Sequence, residues 1–147
     1  MIWWMVLGIA AAHEVVVFGD SWAEGSADEL AGVIARNGRP DLTVDPEGIG
    51  GTTAVYWNDV APDALVNAVS ANPDARWVWL SILGNDTFAH HAASEGSLAA
   101  GRNEAELREM FDRLFAVHPD IQVAIFSYDY VNFEQSIECI FTATLYF

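Results

Sequence analysis

Apolar and polar residues recur along this chain at two different periods, and the switches between them divide it into elements. Glu14 to Phe18 (EVVVF) is a β-branched, apolar run that stops at Gly19-Asp20-Ser21. That is the pattern of a buried strand running into a sharp turn. Ser26 to Asn37 (SADELAGVIARN) has helical spacing, with Ser26 placed to cap it, Glu29 three residues on as a capping-box partner, and Gly38 past its end. Leu42 to Val44 predicts a short strand, and Glu47 to Thr53 (EGIGGTT) a glycine-rich loop. Pro62 to Ala71 predicts a second helix, with Pro62 in its first turn and Asn72-Pro73 ending it. Arg76 to Leu83 (RWVWLSIL) predicts a strongly apolar strand, followed by a turn at Gly84-Asn85-Asp86. Glu104 to Val117 is the clearest amphipathic helix, with Leu107, Met110, Phe111, Leu114 and Phe115 on its core face. Ile121 to Phe126 (IQVAIF) predicts another buried strand.

Strands therefore alternate with helices, and the strands are near-continuous apolar runs. Both features predict an α/β fold of three layers, α/β/α, with a flavodoxin-like, doubly wound parallel sheet. Ligands of such sheets bind beyond the carboxyl ends of the strands. Gly19-Asp20-Ser21, the glycine-rich loop and Gly84-Asn85-Asp86 all follow strands, so all three are expected on one rim.

Composition narrows the function classes. The 147 residues suffice for one domain. A formal charge of −15 argues against a basic patch for nucleic acid or anionic lipid. The acidic residues are dispersed, which is the pattern of a solubilising surface rather than an acidic tail. The one cysteine, Cys139, excludes an intrachain disulfide and a multi-thiolate zinc site, and reads as a small buried hydrophobe. Met1 to Ala12 (MIWWMVLGIAAA) is apolar and ends in small residues, as a signal peptide does, but has no preceding Lys or Arg. It reads either as a leader, which would place the protein outside the cytoplasm, or as an apolar extension packed on a cytoplasmic domain spanning residues 13–147. It is too short to span a bilayer as a helix. The six tryptophans read mainly as core; Trp77 and Trp79 fall in the third strand.

The rim also carries a coherent chemistry. Acyl transfer through serine needs an exposed hydroxyl, a base for its proton, and donors aimed at the developing oxyanion. Ser21, at a strand-to-helix turn, is the candidate nucleophile. The Ser21 N–H, the Gly51 N–H and the Asn85 amide are candidate oxyanion donors, with Asp20, Gly50 and Asp86 as supporting loop residues. Gly50 and Gly51 lack side chains and permit close approach of a substrate. Taken singly, each motif is ordinary turn chemistry.

Taken together and in this order, the motifs resemble the SGNH hydrolases, the GDSL-type esterases and lipases. VVVFGDSWAEG (Val15 to Gly25) resembles that family's first block, which carries the nucleophilic serine. EGIGGTTA (Glu47 to Ala54) resembles the second, whose oxyanion glycine aligns with Gly51, with Gly48 and Gly50 as alternatives; Thr52 stands where members often have aspartate. WLSILGND (Trp79 to Asp86) resembles the third, whose asparagine aligns with Asn85. The resemblance covers residues 15–133. It implies hydrolysis of a small ester, lipid or carbohydrate acyl, with no metal or cofactor.

The family's last block, Asp-x-x-His, has no match in this sequence. His13 precedes a strand and His118 follows a helix, so both are expected on the opposite rim. His90 and His91 follow Asn85 on the correct rim and are candidate substitute bases, with Asp86 or Asp129 as orienting carboxylates. From Ser136 the chain turns apolar (SIECIFTATLYF), where a last strand, helix and catalytic block are expected. Three readings stay open: a serine esterase with an unorthodox base, a catalytically inactive module truncated after about residue 134, and a flavodoxin-like protein binding a small ligand. The third lacks a phosphate-loop lysine.

Overall fold

The computed structural model describes residues 13–89 and 96–126. Its sheet has four parallel strands in the order β2-β1-β3-β4: β1 (Val15–Gly19), β2 (Val44–Gly48), β3 (Trp77–Ser81) and β4 (Gln122–Phe126). The chain winds outward from β1 to β2, then returns across β1 to β3 and β4. This is a doubly wound sheet, and its reversal point lies between β1 and β3. Val15 pairs with Val44 on one side and Trp77 on the other, and the register runs unbroken to Gly19, opposite Gly48 and Ser81.

Alternation along β1 assigns the two helical layers. Val15 and Val17 pack with Ala23 and Ala27 of α1 (Ser21–Arg36). Val16 and Phe18 join Val78 and Leu80 against the opposite layer, built from α2 (Ala54–Asp59), α3 (Ala64–Ala71) and α5 (Gly96–Val117). Trp57 from α2, Leu65 and Val69 from α3, and Met110 and Leu114 from α5 fill that core. α4 (Gly84–Ala89) is a short helix after β3. No helix among the described residues is long and apolar enough to cross a membrane.

Several sequence expectations shift. α1 begins at Ser21, not after Ser26. Asp20 caps it directly at the end of β1, its carboxylate accepting from the Trp22 N–H at 3.0 Å. Ser26 lies inside the helix and its hydroxyl donates back to the Trp22 carbonyl. β2 starts at Val44 and takes in Pro46, Glu47 and Gly48, which leaves the glycine loop shorter. A proline is tolerated there because β2 is an outer strand of the described sheet. The short α2 was not anticipated; Thr53 caps it by accepting from the Tyr56 N–H at 3.1 Å. Pro62 sits in the turn before α3, and α3 begins at Ala64. Gly84-Asn85-Asp86 is the first turn of α4 rather than a free turn.

On α5, Phe115 stacks on Phe111 at the edge of the interface and is 40% exposed, so it is not core. β4 is an outer strand of the described sheet; Val123 packs on the core, while Ile125 and Phe126 are exposed. Trp77 and Trp22 are also exposed, unlike the buried Trp57. Residues 1–12, His90, His91, Asp129, Cys139 and the apolar ending lie outside the described residues.

Two glycines in this layer differ sharply in what surrounds them. A Cβ on Gly48 would stand 2.6 Å from the Ala23 carbonyl carbon and closer still to the Glu24 nitrogen, so β2 and α1 touch backbone to backbone. A Cβ on Gly25, inside α1, would meet nothing within 4 Å. Gly48→Ala is expected to lower unfolding stability by about 1–3 kcal/mol or more through overpacking. Gly25→Ala is expected to raise it by roughly 0.5–1 kcal/mol through helix propensity. Urea unfolding of both variants checks this; equal shifts would contradict the close approach.

Candidate active site

The rim beyond the strands is assembled around the end of β1. Gly19 has φ +138°, and a Cβ there would overlap the Ser81 carbonyl on β3. Only glycine fits this backbone. Its carbonyl accepts from the Ile49 N–H at 2.9 Å, which anchors the glycine loop beside β1. The next residue, Asp20, donates its N–H to the Ser81 carbonyl at 2.8 Å, which anchors the turn to β3. Asp20 is 1% exposed and its carboxylate is engaged in capping α1. Its place is that of a fastener for the turn.

Ser21 is the first residue of α1 and is exposed. The Trp22 N–H goes to the Asp20 carboxylate and the Glu24 N–H to the Asp20 carbonyl. The Ser21 hydroxyl therefore stands at the positive end of a 16-residue helix. The glycine loop lies against it: a Cβ on Gly50 would stand 3.7 Å from the Ser21 Cβ and 2.7 Å from a Glu24 carboxylate oxygen. Gly51 has φ +79°, with open space where a Cβ would point. Gly48, one alternative for the oxyanion glycine, is instead consumed by packing against α1.

Thr52 explains how the loop closes without the aspartate the resemblance leads one to expect. It is buried, and its hydroxyl donates to the Ile49 carbonyl at 2.8 Å and lies 3.3 Å from that of Gly19. Its own carbonyl accepts from Asn85 Nδ2 at 2.9 Å. An amide has two N–H groups. The Thr52 bond uses one and orients the other. Asn85 sits at the start of α4, two residues beyond Leu83, whose φ of +86° is a rare conformation for a non-glycine residue. That strained residue makes the tight exit from β3.

Asp86 is 3% exposed, and both carboxylate oxygens accept from the Ala54 N–H, at 3.0 and 3.1 Å. It ties the start of α2 to α4. Thus Ser21, Gly50, Gly51 and Asn85 come together on one rim, with Asp20 and Asp86 bracing the loops beneath. His13 and His118 do not join them. His13 lies before β1, where its N–H bonds Asn72 Oδ1, and His118 lies after α5, with Nε2 2.8 Å from Ser70 Oγ. Among the described residues, no group of three or more His, Cys, Asp or Glu is arranged to hold a metal ion.

Sequence reasoning passed over Glu24 and Leu83, and noted Thr52 only as a departure from the family's aspartate. The three-residue spacing of Ser21 and Glu24 was a usable signal once the helix was known to start at Ser21. Nothing in the sequence announces a positive φ at leucine.

No protein-family model matches this chain, and no curated protein matches it in sequence. Solved structures do match its fold. Axe2, an acetylxylan esterase from Geobacillus stearothermophilus, superposes with a TM-score of 0.52 at 15% identity, covering 89% of this chain and 69% of that one. A variant of the same enzyme gives 0.55 at 16%, covering 92% and 69%. A Streptococcus pneumonia protein named as a platelet activating factor gives 0.52 at 14%, covering 90% and 55%. The fold is a three-layer α/β/α sandwich that this chain shares with these structures. The chain spans between about half and two thirds of the length of these structures.

Asp86→Ala leaves the Ala54 N–H without its acceptor, and is expected to cost about 1–3 kcal/mol. Asp86→Asn is expected to restore part of that loss. Thermal unfolding of the pair measures it, and an unchanged melting point for Asp86→Ala would contradict the bracing role. Glu47, on β2, has its carboxyl pushed up by burial and then by the neighbouring Asp45. A raised carboxylate weakens the fold while ionised and ceases to do so as pH falls through its folded pKa. Glu47→Gln is therefore expected to stabilise the protein at neutral pH, with the advantage fading in the acid range. A pH series of melting points tests the sign.

Proposed function

We propose that this chain is a serine esterase of the SGNH type, acting through an acyl-enzyme on Ser21. The observation that carries the reading is the Asn85 bond to the Thr52 carbonyl, taken with Gly50 against Ser21. It joins all three motif-bearing loops at one point. In this reading the Ser21 N–H, the Gly51 N–H and the second Asn85 N–H receive the oxyanion. These donors come from two helix starts and a fastened loop, so little reorganisation accompanies the reaction. The substrate proposed is an acetyl ester on a carbohydrate, because Axe2, whose fold this chain shares, is named an acetylxylan esterase. The charge of −15 suits a neutral saccharide better than an anionic lipid.

A second reading, a module that keeps the rim but has lost turnover, is favoured by one observation. The described histidines, His13 and His118, lie at the amino ends of the strands. Hydrolysis of p-nitrophenyl acetate and of acetylated xylooligosaccharides by the full chain separates the two. Turnover should vanish in Ser21→Ala and fall about 10²–10³-fold in Asn85→Ala. Equal rates for the chain, Ser21→Ala and buffer would establish the inactive module.

A further inference from the structure

We propose that Glu24 is the proton acceptor for Ser21; this rests on the serine-esterase reading above. The two residues are three apart on α1, and residues at that spacing share a helix face. The glycine loop reports their proximity independently. A single point, where a Cβ on Gly50 would stand, is 3.7 Å from the Ser21 Cβ and 2.7 Å from a Glu24 carboxylate oxygen. The carboxylate and the serine thus flank the same glycine, on the side of the helix where an ester would enter over Gly50 and Gly51. Both side chains are exposed, so the glutamate has the freedom to reach the hydroxyl directly or through one water. A side chain at Gly50 would fill the space between them, which gives that glycine a reason beyond turn geometry.

The reaction balances with these groups alone. The Ser21 Oγ–H passes its proton to the Glu24 carboxylate as the Oγ–acyl bond forms, and the carbonyl electron pair moves onto the oxyanion. Collapse breaks the bond to the alcohol, which leaves with the proton from Glu24. A water then gives its proton to the Glu24 carboxylate and attacks the acyl carbon. Collapse of the second oxyanion breaks the acyl–Oγ bond, and Ser21 takes the proton back. The products are one alcohol and one carboxylic acid.

The test compares the full chain with Ser21→Ala, Glu24→Gln, Glu24→Asp and Glu24→Ala on p-nitrophenyl acetate, with and without sodium formate, a small carboxylate able to occupy the vacated position. Glu24→Gln should lower kcat by about 10²–10⁴-fold, the range for general-base catalysis, with KM little changed. Glu24→Asp should retain part of the activity. Formate, but not chloride, should raise the rate of Glu24→Ala several-fold and leave Ser21→Ala at background. Wild-type turnover in Glu24→Gln, with Ser21→Ala inactive, would overturn the role of Glu24 and leave the serine reading standing. A slow Glu24→Ala that formate does not rescue would overturn it as well, marking Glu24 as structural. Turnover unaffected by Ser21→Ala would overturn both readings.

Discussion

The arrangement of the rim depends on how closely the backbone at Gly19 approaches β3. With φ at +138° and no room for a Cβ beside the Ser81 carbonyl, the chain can leave β1 only along one path. That path delivers the Asp20 N–H to Ser81 and presents the Gly19 carbonyl to Ile49. One residue thus sets the exit of the central strand and the seat of the loop from its outer neighbour. Asp20 then caps α1 without any intervening linker, so Ser21 is at once the end of the turn and the start of the helix. A bulkier residue at position 19 would push β1 from β3 at the sheet's reversal point, where all three loops meet.

The layers were legible because strand and helix periods are properties of local sequence. EVVVF and RWVWLSIL could only be buried strands in an alternating α/β chain, and the parallel sheet follows from that alternation. Boundaries failed where a nonlocal contact overrode a local preference. Ser26 has better capping chemistry in sequence than in space, because Asp20 reaches the Trp22 N–H first. Pro46 argues against a strand until the strand is known to be outermost among the described ones. Phe115 fits the apolar stripe of α5, yet the partner surface ends before it. The motif residues on the rim were readable, since each follows a strand. The bracing was not: the Thr52 carbonyl on Asn85 and the Asp86 carboxylate on Ala54 join residues more than thirty positions apart.

Those braces also distinguish two halves of the site physically. In the proposed esterase the donors for an oxyanion belong to backbone and to one amide, Asn85, fixed by its own hydrogen bond. They are held by strands, helix starts and buried polar groups that the fold requires anyway. Asp20, Thr52 and Asp86 are all buried and all engaged, so disturbing them costs stability before it costs chemistry.

Proton transfer makes a different demand. It needs a side chain able to reach the serine, and such a group can be mobile and solvated because its contribution lies in a short-lived hydrogen bond. Glu24, as proposed, would meet that demand from the same helix as Ser21, so fixing α1 fixes the separation of the two Cα atoms. A histidine delivered by another loop would need its own bracing to achieve as much. The proposed arrangement pairs a braced oxyanion cradle with an acceptor carried on the same helix as Ser21. The stability of the sheet and the reach of the acceptor then become separable properties of one short segment, residues 19 to 24.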